Sequence, residues 1–390
     1  MVTIDGLRGI AAAMVVVYHL NLTDDPESRV VSVARSLPAG VRTVVGQYGG
    51  LGVAVFFVIS GFVTAHSVAS YIATPRFWVR FTVRRIVRLT PPYYAAIVIA
   101  IAVAAASSAL TGDGFELEGN PFSAGGLIAH LFYAQEALGL DEISSVFWTL
   151  CFEMMFYVVY VGLVTLANSI SARSHRDGNR LVLVVASALA LFFSLGQVQG
   201  EFLPAPWLRT FGTFLLGVHL HNACRGALRW RSLALFVVVY SLGAAVSEPH
   251  FKLVAVATLV IIGAAARRRR LDRWLGGRGF QFVGQVSYSL YLIHSVVFSV
   301  CYFAVDATIG TDRTGQMVYL AVALIVALVA AWVLWRCVEV PATTWARTIA
   351  LGPSATTAKQ FLAVAGLVEM DTGKDGLGDT TRCLTEPKRR

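Results

Sequence analysis

The sequence predicts an all-α fold, a polytopic transmembrane helical bundle of about ten spans with both the N- and C-termini cytoplasmic. Three observations carry this expectation. Of 390 residues, 56% are hydrophobic and only 14% charged, with a mean hydropathy of +0.65, which fits a membrane protein better than two soluble domains of the same total length. Apolar runs such as 95–106, 181–195 and 317–334 approach or reach the length that takes a helix across a bilayer core. The arginines fall in short loops between these runs, and they fall unevenly.

Taken in order, the expected spans are 7–22, 47–69, 91–110, 147–167, 181–197, 207–223, 232–247, 252–266, 282–304 and 315–337. The first is read as a retained span rather than a signal peptide. Asp5 and Arg8 make a poor basic lead, and Asn21-Leu22-Thr23 offers no small-residue cleavage site. With the N-terminus inside, inner loops hold about 17 arginines, in the groups 76–88, 173–180, 225–231 and 267–278, against about four outside at Arg29, Arg35, Arg42 and Arg313. This balance bears on 125–140, which as a full span would put the arginines of 173–180 outside. It is therefore expected to be an outer interfacial or re-entrant helix. Residues 1–345 form the expected membrane domain and 346–390 a poorly ordered cytoplasmic tail rich in Gly, Thr, Asp and Lys, with no soluble second domain.

The formal charge of +9 and pI near 9.5 do not indicate nucleic acid, because the positive residues act as topology signals rather than covering a soluble surface. Five cysteines, Cys151, Cys224, Cys301, Cys337 and Cys383, are widely scattered, and their spacing suits neither a disulfide framework nor a metal site.

Several ionisable residues sit where a bilayer disfavours them. Arg8 and His19 are eleven residues apart, which at about 100° per residue puts them on one helix face and roughly 16 Å apart along it. They are either a snorkelling arginine and a hydrogen-bonded core histidine, or a functional stripe; intramembrane ionisable residues are functional by default. After the second span, Arg80, Arg84 and Arg88 recur every four residues and Arg85 lies three before Arg88. If that stretch is helical, two or three guanidiniums converge as phosphate binding requires; an ordinary positive-inside loop has the same charges. Glu153 lies about six residues, or roughly 9 Å, into the span that opens at Trp148, a depth that calls for a partner. His19 lies at a similar level, so Glu153 is either one half of a structural pair or a catalytic group. His294 falls near the middle of the ninth span, where it lines a cavity or braces the bundle. Arg209 sits near the outer end of the sixth span, within reach of an acceptor or of an acidic partner.

Together these stretches resemble the acyltransferase-3 family of integral membrane O-acyltransferases over roughly residues 3–345. The resemblance rests on six motifs in order: DGLRG with its arginine-to-histidine spacing (Arg8, His19), the GxxVFFVISGF run of 52–62, RRxxRLxPPYY at 84–94, WTLxFExxFY at 148–157, SYSLYLIH at 287–294 and the ExP of 339–341. Where relatives often carry a second acid after the first glutamate, this sequence has Met154. The resemblance implies acyl-CoA, with acetyl-CoA the leading form, as co-substrate and no bound cofactor, and a hydroxyl-bearing sugar or glycoside acceptor. By that resemblance Arg8, His19, Arg85, Arg88 and Glu153 are the leading site residues; with the reading of the residues above, His19 and Glu153 are the expected catalytic groups, Arg8, Arg84, Arg85 and Arg88 the expected donor-binding ones and Trp148, His294 and Arg209 those on the acceptor, in the plasma membrane among its lipids. The chemistry is then direct transfer with His19 as general base, or a relay through an acyl-histidine. The competing class is a transporter or flippase, which also needs many spans and a few buried charges, but neither an inverted repeat nor a pair of broken helices is visible.

Overall fold

Apolar runs too long for a soluble core become helices, because in hydrocarbon every backbone polar group must be satisfied within its own segment. The computed structural model describes residues 1–22, 28–112, 114–117, 120–174, 178–195, 205–243 and 248–352. Of these residues 81% are helical, and the strands among them are a two-residue pair, Glu116–Leu117 against Asn120–Pro121, so the fold class is all-α.

The chain opens with α1 (Val2–His19), followed by the short α2 (Val31–Ser36) and α3 (Ala39–Tyr48) and a 3-10 turn, Gly49–Leu51, that leads into α4 (Gly52–Val68). Thr74 caps α5 (Pro75–Thr111) by accepting from the Phe77 amide at 3.2 Å, and Pro75 occupies its first turn. At 37 residues α5 is about 55 Å long, more than a bilayer core needs. The arginine-rich stretch expected as a loop is thus the first half of one helix that runs through Pro91 and Pro92.

Next come α6 (Ala124–Leu131) and α7 (Gln135–Leu138). Eight residues of helix reach only about 12 Å, so neither crosses a bilayer, as expected for 125–140. The Cys151 thiol donates to the Tyr133 carbonyl at 2.8 Å and His130 Nδ1 to the Gly126 carbonyl at 2.9 Å; His130 Nε2 lies 3.1 Å from the Glu142 carboxylate. Burial, reinforced by Glu142, raises the Glu136 carboxyl above the ordinary carboxylate range.

The remaining helices are α8 (Trp148–Ser174), α9 (Gly178–Leu195), α10 (Ala205–Cys224), α11 (Trp230–Leu242), α12 (Pro249–Arg267), α13 (Arg278–Thr308) and α14 (Arg313–Leu334). A π-helical turn, Trp335–Glu339, joins α14 to α15 (Val340–Thr348). Among the described residues seven helical stretches are long and apolar enough to cross a membrane: Val2–His19, Gly49–Val68, Pro75–Thr111, Trp148–Ser171, Pro249–Arg267, Arg278–Thr308 and Arg313–Thr348. The other expected spans fall on α9, α10 and α11. The expected tail lies outside the described residues from 353 onward.

Two apolar cores meet at α1. Ile4, Leu7, Ala11 and Val15 face the larger one, shared with α4, α5, α8, α10 and α12. Ala12, Val16 and Leu20 face the smaller one, shared with α13 and α14. Lipid tails are as apolar as leucine, so helices here associate through close packing of small residues. A Cβ on Gly284 of α13 would overlap the Asp5 carbonyl oxygen, and one on Gly9 of α1 would sit 2.7 Å from the Phe280 carbonyl oxygen. This crossing sets the relation between the two helices that carry Arg8, His19 and His294.

Candidate active site

The α1 N-terminus is pinned before it reaches its first functional residue. The Thr3 amide donates to the Leu271 carbonyl at 2.8 Å and the Thr3 hydroxyl faces the carbonyls of Arg270 and Trp274, each at 3.1 Å. Gln281 of α13 donates its amide to the carbonyls of Val2 (2.9 Å) and Leu275 (2.8 Å). With that end fixed, Arg8 points into a cavity of about 310 Å³ bounded by α1, α4, α5, α8 and α13. Arg85 and Arg88 line it from α5, because a spacing of three puts both on one helix face.

Among the described residues none of the three arginines makes a close ion pair. The Arg85 guanidinium lies over the rings of Tyr157 (4.5 Å) and Phe81 (5.1 Å), contacts that orient a cation without neutralising it. Arg88 buries its Nε with no hydrogen-bond partner among the described residues. No carboxylate among the described residues comes within ion-pair distance of Arg8, Arg85 or Arg88. Partly buried guanidiniums that face a cavity without a close ion pair favour an anionic ligand.

Glu153 lines the middle of the cavity from α8. Its Oε1 accepts from the Ser60 hydroxyl at 2.8 Å and from the Tyr157 hydroxyl. The Ser60 bond ties α4 to α8 at this point, and the Tyr157 bond holds the Glu153 side chain along its own helix. Tyr288 fixes the α13 wall by donating to the Leu89 carbonyl at 2.7 Å. Near the arginine end Glu339, buried in the π turn, accepts from the Ser289 hydroxyl at 2.7 Å and feels the charges of Arg8 and Arg88. π turns recur at functional sites because the extra residue re-aims a side chain.

His19 and His294 form a second group, outside the lining of this cavity. Their ring centroids are 4.9 Å apart in an edge-to-face arrangement. Each imidazole donates Nδ1–H to the carbonyl four residues earlier, His19 to Val15 at 2.9 Å and His294 to Leu290 at 3.0 Å. A neutral imidazole held in this way carries its lone pair on Nε2, the form a base needs. His294 is fully buried and its Nε2 has no partner among the described residues.

The structure therefore joins Arg8, Arg85, Arg88 and Glu153 in one cavity and pairs His19 with His294 beside it. Arg84, about 100° around the helix from Arg85, lies off the lining. Trp148 meets the cavity through Phe57, ring to ring at 6.4 Å. Arg209 belongs to α10, and its side chain lies outside the described residues. Sequence reasoning passed over Ser60, Tyr157 and Tyr288, whose hydroxyls look ordinary in an apolar run. Glu339 stands in the ExP motif, and an acid at the end of a long apolar run is itself a signal.

A family model described as an acyltransferase domain matches residues 1–336, most of the chain and every residue of both groups except Glu339. The chain belongs to the acyltransferase-3 family. Comparisons with curated proteins and with solved structures gave no match. The chain is thus a membrane acyltransferase, and its apolar helices make it a multi-pass one. In this acyltransferase the arginine cavity and the histidine pair are two places where ionisable groups converge on a helix-lined interior.

Proposed function

We propose that this membrane acyltransferase transfers an acetyl or other short acyl group from acyl-CoA to a hydroxyl of a carbohydrate-containing acceptor, such as a cell-envelope glycan, a glycolipid or a glycosylated natural product. The observation that carries the reading is the convergence of Arg8, Arg85 and Arg88 on one cavity with no paired carboxylate among the described residues. Guanidiniums in that condition suit the phosphates of CoA, which accept bidentate hydrogen bonds. The protein sits in the cell membrane with the arginine end of the cavity towards the cytoplasm, so the donor enters from that side.

Along α1, Arg8 and His19 stand about 16 Å apart, so a donor held by its phosphates extends its pantetheine arm past Glu153 toward the histidine pair. There His19 Nε2 takes the proton of the acceptor hydroxyl as the hydroxyl oxygen bonds to the thioester carbon. The tetrahedral intermediate collapses with cleavage of the carbon–sulfur bond, and the imidazolium returns its proton to the departing CoA thiolate. His294 and Trp148 flank the acceptor, and Glu153 is a hydrogen-bond acceptor along the donor's path.

The test is incubation of the purified full-length protein in detergent or nanodiscs with radiolabelled acetyl-CoA and a panel of glycans and glycosides. Label in a saponifiable ester on at least one acceptor, with one free CoA released per ester, is the expected result. Binding of CoA without ester formation on any carbohydrate would remove the acceptor assignment, and absence of CoA binding would remove the donor assignment.

A further inference from the structure

Two rings on the lining of the arginine cavity touch each other, and one of them reaches the histidine pair. Phe56 of α4 and Tyr291 of α13 both line the cavity and meet edge-to-face, with centroids 5.9 Å apart. Tyr291 is in turn 6.1 Å from the ring of His294. Its hydroxyl is fixed by Thr149 of α8 at 2.8 Å, so this ring is anchored. Phe56 has no polar tether and packs against both apolar cores. On the CoA reading above, a thioester carried from the arginines towards His19 passes beside Tyr291, and the space on the cavity side is about 310 Å³.

Resting on the CoA reading above, we infer that the Phe56–Tyr291 pair is the gate that gauges the acyl group. Tyr291 is its fixed post and Phe56 the part that yields. Phenylalanine has two side-chain torsions, and a short acyl group needs only a small displacement of the ring. A longer acyl chain would have to hold Phe56 out of both cores at once, losing close-packed contact on each side. A pocket of this kind discriminates by size, and each methylene it rejects changes selectivity by about 10- to 200-fold at most.

The experiment measures the binding of free CoA and of acetyl-, butanoyl-, hexanoyl- and octanoyl-CoA to the intact protein and to Phe56→Ala, Phe56→Leu and Tyr291→Ala, with circular dichroism confirming helicity. The wild type is expected to bind hexanoyl-CoA at least about tenfold more weakly than acetyl-CoA. Phe56→Ala should bring the two within about twofold, each affinity being read relative to that for free CoA in the same variant, and Phe56→Leu, which keeps the core filled, should fall between. Tyr291→Ala should relax selectivity in the same direction. If free CoA binds but the acyl-length profile is the same in wild type and Phe56→Ala, the gate is overturned and the donor reading stands. If free CoA does not bind the wild type, the donor reading fails and the gate falls with it.

Discussion

His19 carries the sharpest expectation at the scale of single residues. A positioned general base contributes about 10² to 10⁴ in rate, so His19→Ala should lose acyl transfer by that order while the protein still inserts and binds CoA. Acidification should lower the wild-type rate too, because a protonated imidazole has no lone pair to take the hydroxyl proton. Turnover per folded molecule separates this from a bracing role, and near wild-type turnover in well-folded His19→Ala would rule the mechanism out. Arg85 and Arg88 make a different case. A lysine keeps the charge but not the planar fork, so Arg85→Lys or Arg88→Lys should weaken CoA binding more than acceptor binding. Arg85→Lys should show the larger effect, since its guanidinium also rests on the Tyr157 and Phe81 rings. Unchanged CoA affinity in both variants would make them topology residues. These five ionisable positions, Arg8, His19, Arg85, Arg88 and Glu153, were legible because a bilayer makes a charged or polar side chain conspicuous. Their hydroxyl partners were not, since serine and tyrosine are unremarkable inside a helix until a neighbouring helix supplies the other half of the bond.

At the scale of elements, the crossing of α1 and α13 decides whether the histidines meet. Gly284 fits there only because it lacks a side chain, and an added carbon would press on the Asp5 carbonyl. Overpacking of a tight contact typically costs about 1–3 kcal/mol, so Gly284→Ala should lower the midpoint of thermal unfolding in detergent. It should also reduce transfer per folded molecule, by parting α1 from α13; an unchanged midpoint and unchanged rate would show that the contact is loose. The sequence displays the glycine but not its opposite number, which lies far along the chain. The same holds for α5, where the spacing of Arg84, Arg85 and Arg88 admitted a helix, but only the continuous run through Pro91 and Pro92 makes those arginines the end of a spanning element.

For the whole molecule the arginine asymmetry predicts sidedness. In a cysteine-free background, single cysteines at Phe115 and Ile309 should react with an impermeant thiol reagent applied outside the cell, and cysteines at Arg229 and Asp272 should not. Outside labelling at Arg229 would mean that 125–140 crosses the membrane after all. The sequence by itself determined that the chain is a bundle of apolar helices, which ionisable groups lie within it and which family it resembles. These are properties of single segments, set by hydropathy, period and local spacing. Only the tertiary structure decided which ionisable groups share a space: Arg8, Arg85, Arg88 and Glu153 around one cavity, and His19 against His294 beside it, with Phe56 and Tyr291 touching on the cavity lining. The physical reason is that helix pairing in a bilayer is chosen by close packing of small residues and by hydrogen bonds between distant segments, and neither leaves a periodic mark along one stretch of chain.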